Sequence, residues 1–470
     1  MSGLAPARGE GASPGAAMAA VAAVPASAAL TVSTVPEAGA PPLRLLLSAY
    51  ACEPGRGSEP GVGWRWALEM ARLGHRVWVL TRANNRAVIA AAGPLPPNLR
   101  FLYCDLPRWA GWWKRGGRGV HLYYLLWQWR ALAVARQAHR SLRFDAVQHL
   151  TFGVTRQPSF LGRLGIPLIL GPLGGGERVP RALRRHYSLR GRLTDAVRDL
   201  ANGVARFDPN VRAMLSRARI ILVKTPETLA WLPAAARDRA GCMLEIGIDL
   251  PDAGAGGGAA PRPGPPPAGL DAPAPRPLRL LYVGRFLALK GIGLALPALG
   301  RLANSGVDWS LTLIGQGPEE ARWRALAARL GIAARLDWRP WQPQAALAAS
   351  YAGHDALLFP SLRDSSGNVV LEALAHGLPV VCLGLGGPAC LVDAHCGRVV
   401  PVSGRGETEV IDGLAGALHG LAREPGLLAQ LGAGARRRAA RYTWASVVGR
   451  VWGPGGSACR LVERERACVS

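Results

Sequence analysis

Short apolar runs recur along this chain and alternate with stretches of helical periodicity. Residues 43–50 read LRLLLSAY, the pattern of a buried strand. A polar loop rich in Gly, Pro and Glu follows at 50–60, then a helix from about Gly61 to Leu73 and a second strand, RVWVLT, at 76–81. Further strand-like runs lie at 99–104, 145–150, 166–170 and 219–224, most of them separated by helical stretches. The alternation stops at 251–277, PDAGAGGGAAPRPGPPPAGLDAPAPRP, which has too little apolar side-chain volume to build a core and enough Pro to be a semi-stiff spacer. It restarts with strands at 278–284, 309–315, RLDWRP, 355–360 and 379–383, and with helices from about Gly291 and at 318–330, 342–352 and 368–376. Strands that alternate with helices build a parallel sheet covered on both faces. The pattern predicts an α/β protein of two Rossmann-like, doubly wound domains facing each other across a cleft, since ligands of such sheets bind beyond the carboxyl ends of the strands. The expected boundaries are a disordered low-complexity tail at 1–42, an amino-terminal domain at 43–250, the linker at 251–277, a carboxyl-terminal domain at 278–450 and a frayed tail at 451–470.

The first question such domains raise is which phosphate chemistry they carry. A G-x-G-x-x-G fingerprint is absent: Gly61-Val62-Gly63 puts Trp66 where the third glycine belongs, and Gly315-Gln316-Gly317 puts Glu320 there. No G-x-x-x-x-G-K-[ST] occurs either, so dinucleotide and P-loop chemistries are disfavoured. Instead the strand LLYVG runs into Gly284-Arg285, and Lys290-Gly291 opens a helix. Two cations five positions apart at a strand's carboxyl end can converge on one diphosphate, Arg as a planar fork and Lys as a point charge. The chain has only three lysines, Lys114, Lys224 and Lys290, among 56 basic residues. A lysine kept at 290 therefore suggests that arginine would not serve there. A solvated basic loop is the bland alternative.

A second constellation is the stretch 359–372, FPSLRDSSGNVVLE. A strand ends near Pro360, and a helix begins around Ser366 to Asn368, where its unpaired amides and dipole form an anion site. Gly367 lets backbone approach a ligand. Asp364 and Glu372 flank that site and are suited to accept hydrogen bonds from sugar hydroxyls. The alternative is that Glu372 merely compensates the helix dipole and Asp364 merely shapes the turn.

Asp364 and Glu372 enclose seven residues, and this resembles the E-x7-E motif of retaining GT-B glycosyltransferases, with Asp as the first acid. Arg285 and Lys290 resemble that family's diphosphate-binding pair. Segments 48–55 (SAYACEPG), 57–64 (GSEPGVGW) and 171–177 (GPLGGGE) resemble a bacterial subset of glycosyltransferase family 4, and the likeness covers about 43–450 without the linker. The resemblance implies sugar transfer from a nucleotide diphosphate sugar to an acceptor hydroxyl, with retention and without an obligatory metal or other cofactor. It implies that Arg285 and Lys290 neutralise the leaving diphosphate, helped by Gly284 and by amides at Gly367, Asn368 and Val369. Glu372 would hold ribose hydroxyls, and Asp364 the transferred sugar. Gly61 and Gly63 would let backbone approach the donor phosphate across the cleft, and His149 would lie beside the donor sugar. The uncommon tail from Gly453 departs from the family's usual last helix.

Charge changes the picture of the partners. The net charge is +25, and 32 basic against 13 acidic residues within 43–250 supply a surplus of 19. The amino-terminal domain is thus the one drawn to anions. Trp109, Trp112, Trp113, Lys114, Arg115 and Arg118 precede Tyr123, Tyr124, Trp127 and Trp129, and aromatics interleaved with cations suit a lipid headgroup interface. A second basic cluster is Arg178, Arg181, Arg184, Arg185, Arg190 and Arg192. These features predict a cytoplasmic protein, peripheral to the inner face of the plasma membrane, acting on a lipid-linked acceptor of cell-surface polysaccharide synthesis. No run of apolar residues is long enough for a transmembrane helix, and the eight cysteines form no C-x-x-C pair. Two competing readings are a GT-B epimerase or phosphorylase, and a basic nucleic-acid-binding protein; the latter lacks any zinc knuckle or aromatic reader strand.

Overall fold

In the computed structural model, residues 42–111, 119–185, 187–251, 276–424 and 426–467 are described. The expected tail at 1–42 and linker at 251–277 therefore lie almost wholly outside the described residues. The central apolar runs become strands whose residues are buried on both faces, as in Leu168–Leu173, Ala356–Phe359 and Val380–Leu383. The upstream sheet contains β1 (Arg44–Ser48), β2 (Arg76–Thr81), β3 (Leu99–Tyr103), β4 (Ala146–His149), β5 (Leu168–Leu173), β6 (Ala218–Val223) and β7 (Ala240–Cys242). Its order is β3-β2-β1-β4-β5-β6-β7, and every pairing is parallel. The downstream sheet, ordered β10-β9-β8-β11-β12-β13, is likewise parallel. Its strands are β8 (Leu278–Val283), β9 (Trp309–Ile314), β10 (Leu336–Arg339), β11 (Ala356–Phe359), β12 (Val380–Leu383) and β13 (Gly397–Val400). The order reverses between β1 and β4 in one sheet and between β8 and β11 in the other. Those two crevices are where doubly wound sheets bind ligands.

Two strands are absent from the hydrophobic pattern. β7 is an edge strand whose three residues are half-buried or exposed, and β13 is a short edge strand that begins with glycine. Neither offers the apolar run that marks a central strand.

The carboxyl-terminal segment differs more. The helix Trp444–Trp452 leaves the downstream lobe and packs on the upstream one: the Trp452 indole donates to Gln148 Oε1 at 2.6 Å, and the Trp452 carbonyl lies 2.8 Å from His75 Nε2. The stretch read as a frayed tail carries a helix, Ser457–Ala467, with Ala458, Cys459 and Val462 buried. Arg219 pairs with its Glu465 at 2.9 Å, and its Arg466 pairs with Asp145. The Gly/Pro run at 453–456 is a turn between two helices rather than the end of structure.

The aromatic surface expected around residue 124 is also revised. Tyr123, Tyr124 and Trp127 of the helix Val120–Leu142 are buried against Leu46, Leu80 and Leu170, whereas Trp109 and Trp129 are exposed. Trp112, Trp113, Lys114, Arg115 and Arg118 lie outside the described residues.

Candidate active site

The downstream crevice is built by the loops after β8 and β11. Gly291 has φ +74, and a Cβ there would meet the Pro360 carbonyl at 1.9 Å, so only glycine lets these two loops touch. That contact brings Lys290 to Asp364. Lys290 Nζ donates to Asp364 Oδ2 at 2.6 Å, both side chains being largely buried. Asp364 Oδ1 accepts from the amides of Ser366 (3.2 Å) and Gly367 (3.0 Å). Burial alone would raise the Asp364 carboxyl; the Lys290 charge, its hydrogen bond and the two amides outweigh this and hold it below the usual carboxylate range. Both oxygens of Asp364 thus have protein partners, and the residue orients Lys290 and closes the turn. An ammonium carries three donors, so Lys290 keeps donors to spare.

Gly284 sits at the end of β8 with φ +155. The Arg285 side chain that follows is exposed, and its guanidinium has no hydrogen-bond or ion-pair partner among the described residues. Gly367 takes φ +81 and precedes the helix Asn368–Ala375. The amides of Asn368 and Val369 are in the first turn, where no helical carbonyl can satisfy them. One turn on, Glu372 accepts from Tyr351 Oη at 2.8 Å and from Gln344 Nε2 at 3.0 Å. Burial raises its carboxyl, opposed by the Tyr351 bond.

Across the gap stands the start of the helix Ser58–Arg72. A cleft of roughly 700 Å³, open to solvent, is lined by Gly57, Ser58, Gly61 and Arg65 on this side, by Asn368, Leu371, Glu372 and Gln344 on the other, and by Asp249 and Trp444 at one end. Arg285, Lys290 and Asp364 are not among its lining residues. Ser58 enters the helix at φ +60, a left-handed conformation that costs a non-glycine residue strain.

The glycines expected to approach a phosphate have a different immediate cause. A Cβ on Gly61 would strike the Arg56 carbonyl at 2.1 Å, and one on Gly63 the Ala51 carbonyl at 2.2 Å. Both are required for the loop 50–57 to fold back on its own helix, and of the two only Gly61 also faces the cleft. His149, at the carboxyl end of β4, is fully buried. Its Nε2 lies 3.0 Å from the Tyr124 hydroxyl, and its Nδ1 has no hydrogen-bond partner among the described residues. Burial pushes its pKa down to about 4, so the ring is neutral at ordinary pH.

Hydrophobic pattern and motif spacing missed the contacts that hold the lobes together. Lys224 Nζ donates to Glu245 Oε1 at 2.6 Å and to Ser366 Oγ at 3.4 Å, and Ser366 Oγ donates to Glu245 Oε1 at 2.7 Å. Arg363 pairs with Asp195 at 2.5 Å, Ser188 donates to Glu319 at 2.9 Å, and the Gly386 amide donates to Glu227 at 2.9 Å. The segment 171–177 ends in Glu177, whose carboxylate accepts from Thr225, Thr228 and the Gly175 amide. The scarcity of lysine was a usable signal for Lys224 as much as for Lys290. Gln344 and Tyr351, seven positions apart, share one helix face, a spacing that could have been tested against Glu372.

Among the described residues no cluster of three or more His, Cys, Asp or Glu could hold a metal ion, the seven described cysteines are free, and no helix is long and apolar enough to cross a membrane.

Residues 277–419 match a family model described as glycosyl transferases group 1. A D-inositol 3-phosphate glycosyltransferase of Streptomyces bingchenggensis is 35% identical over 174 residues, covering 35% of this chain and 37% of that protein. A 2-deoxystreptamine glucosyltransferase of Streptomyces kanamyceticus is 32% identical over 120 residues, 26% of this chain and 30% of that one. The chain thus spans well under half the length of these curated relatives. Two solved structures share the fold: sucrose-phosphate synthase from Thermosynechococcus elongatus, with a TM-score of 0.57 at 18% identity over 91% of this chain and 99% of that one, and the apo lipopolysaccharide outer core galactosyltransferase WaaB, with 0.56 at 14% identity over 86% and 96%. The common architecture is the two-lobed GT-B fold.

Proposed function

We propose that this GT-B, family 4-like chain, whose residues 277–419 match the glycosyl transferases group 1 model, transfers a sugar from a nucleotide diphosphate sugar to an acceptor hydroxyl, with retention of anomeric configuration. The observation that carries this reading is the meeting of Lys290, Asp364 and the Gly367-headed helix at the β8/β11 crevice. Lys290 keeps free donors and is held in place by Asp364, so it is pre-aimed at charge that grows on the departing diphosphate. Arg285 supplies a second cation with an unoccupied fork, and the Asn368 and Val369 amides add dipoles from the helix terminus. Glu372, fixed by Tyr351 and Gln344, receives the ribose hydroxyls. Charge stabilisation is assigned to these groups rather than to an obligatory metal. No protein nucleophile is assigned; the leaving phosphate accepts the acceptor proton.

A neighbour of the same fold, Anabaena Alr3699/HepE, was solved in complex with UDP and glucose, with a TM-score of 0.52 at 14% identity over 90% of this chain and all of that one. A uridine diphosphate sugar is therefore the first donor to try. The acceptor is proposed to be a lipid-linked glycan intermediate of cell-surface polysaccharide synthesis, met at the anionic inner face of the plasma membrane. The upstream charge surplus supports that placement. Thermal-shift screening against UDP-, GDP- and ADP-sugars tests donor binding, because a ligand selective for the native state raises the melting temperature. Donor turnover that depends on added acceptor supports transfer; turnover without acceptor supports an epimerase or phosphorylase instead.

A further inference from the structure

The helix Leu189–Ala205 is built inside out. Its inward face carries Asp195, Arg198, Asp199 and Asn202, spaced three, one and three apart on one side of the helix. All four are engaged: Asp195 with Arg363, Arg198 with the Glu177 carbonyl at 2.8 Å, Asp199 with Arg184, and Asn202 with the Gly175 carbonyl at 2.7 Å. The opposite face carries Leu189, Leu193, Val197, Leu200 and Val204, a continuous stripe at helical spacing, and Phe207 extends it by one more turn. These six side chains are 59–82% exposed. A surface helix ordinarily turns such a stripe toward the core, and monomeric soluble proteins rarely leave so long an apolar row uncovered.

What surrounds the stripe identifies its occupant. Arg190 and Arg192 flank it on the two sides, Arg181 and Arg185 precede it and Arg206 follows, all of them exposed. The helix's two acids both point inward and are already paired. A second copy of this chain would set one arginine rim against another, whereas an anionic surface would be drawn to the rim while its apolar interior takes the leucines. Arginines also bury their stems at such a boundary and keep the guanidinium at the headgroups. A second exposed apolar row, Leu122, Leu125, Leu126 and Trp129, lies on the helix Val120–Leu142. Both helices rest on the same short stretch: Gln157 bonds to His121 and Arg156 to Asn202.

We propose that the outward face of the helix Leu189–Ala205, with its arginine rim, is the element that inserts into the headgroup region of an anionic bilayer. This inference deepens the membrane-attachment part of the reading above and rests on it. It also gives the attachment a direction. The same helix is tied through Asp195 to Arg363, the residue next to Asp364, and through Ser188 to Glu319. Docking by this face therefore holds the β11 loop, with its site residues, at a fixed height over the lipid surface, where a lipid-linked hydroxyl is presented.

The test is flotation of the full-length chain with vesicles of phosphatidylcholine and phosphatidylglycerol, against phosphatidylcholine alone, at about 0.15 M salt. Wild type is expected to float only with the anionic vesicles. The variant Leu193→Gln/Val197→Gln/Leu200→Gln, all three at exposed positions, should lose roughly tenfold or more in vesicle affinity. Arg190→Gln/Arg192→Gln should lose less and show a shallower salt dependence. The melting shift given by UDP-glucose is measured on the same samples: an unchanged shift with lost flotation supports the surface. Failure of the shift in wild type sinks the donor reading while leaving the flotation result intact. The surface proposal is overturned if the folded triple variant floats as well as wild type, if wild type ignores anionic vesicles, or if sedimentation in the absence of lipid shows a dimer that the triple variant dissolves.

Discussion

Two lysine–carboxylate pairs, one on each lobe, have the same 2.6 Å separation and opposite surroundings. Lys224 and Glu245 of the upstream lobe are sealed by Ser366 from the other lobe, which bonds to both. The Lys224 ammonium is pushed down by burial, but Glu245 and the nearby Glu59 outweigh that and raise it. Two of its three donors go to protein groups, Glu245 and Ser366. Lys290 and Asp364 of the downstream lobe sit in a crevice, and there the carboxylate's second oxygen is held by backbone amides. Its partner Lys290 spends one of three donors on Asp364, and the proposed function gives the others to the donor diphosphate. The difference teaches that a buried ion pair is a latch or a binding site according to what its remaining donors face, not according to its length. It also separates the expected failures: removing one lysine should damage chemistry, and removing the other should damage the fit of the lobes.

The largest effect is expected at Lys290. Lys290→Ala should lower acceptor-dependent turnover by roughly a hundred- to thousandfold, the scale of losing one pre-aimed charge in a reaction centre. Lys290→Arg should recover only part of it, since a planar fork cannot occupy the same point. A Lys290→Ala enzyme with nearly wild-type turnover would erase the distinction between the two pairs. Lys224→Met comes next, and its damage is to stability. It strands Glu245 as a buried unpaired charge, a change of about 3–5 kcal/mol in denaturant unfolding. Adding Glu245→Gln should restore much of that loss, because the stranded charge goes with it. If the double variant is no better than the single one, Lys224 serves something other than Glu245.

Glu372 sharpens the comparison further. Among the described residues its carboxylate is paired with no cation, only with the Tyr351 hydroxyl and the Gln344 amide. If its task is to accept hydrogen bonds from the donor's ribose, Glu372→Gln should raise the donor KM by about tenfold with a smaller change in kcat, since such binding is nearly uniform between ground and transition states. Tyr351→Phe should move KM in the same direction by less, acting through the position of Glu372.

Much of this was legible in the sequence, for identifiable reasons. Central strands such as β11 and β12 are runs of apolar residues buried throughout, and such runs can be read directly. The Asp364–Glu372 spacing was legible because a turn and one helical turn fix the distance between the two acids locally. Lys290 stood out by scarcity. What stayed hidden depends on tertiary contact. The partners of Glu372 come from another helix, and the role of Gly61 and Gly63 depends on where the loop 50–57 folds back. The helix Leu189–Ala205 is the most instructive case. Its apolar period is plain at 189, 193, 197, 200 and 204, yet periodicity alone points that stripe inward. Only the paired Asp195 and Asp199 reveal that the core side is the polar one.

His149 gives the smallest effect and the cleanest contrast with the paired lysines, because it is kept uncharged by burial instead of charged by a partner. Its folded pKa is about 4 against an ordinary value of 6.5. Below pH 6.5 the unfolded chain takes up a proton that the folded chain refuses, so unfolding is favoured by acid. The stability contribution is complete above that value and is lost progressively as the pH falls toward 4. Between pH 7 and pH 5.5 the loss from this one residue is about 1 kcal/mol. Other histidines shifted downward by burial, His75 and His354 among them, act in the same direction, so the share of His149 is read from a difference. Chemical denaturation of wild type and His149→Phe across this range should give curves that converge as the pH is lowered, provided the variant is the less stable of the two at pH 7 from losing the Tyr124 bond. Curves that stay parallel would mean that the folded ring takes up its proton as readily as the unfolded chain does, so that burial does not keep it neutral.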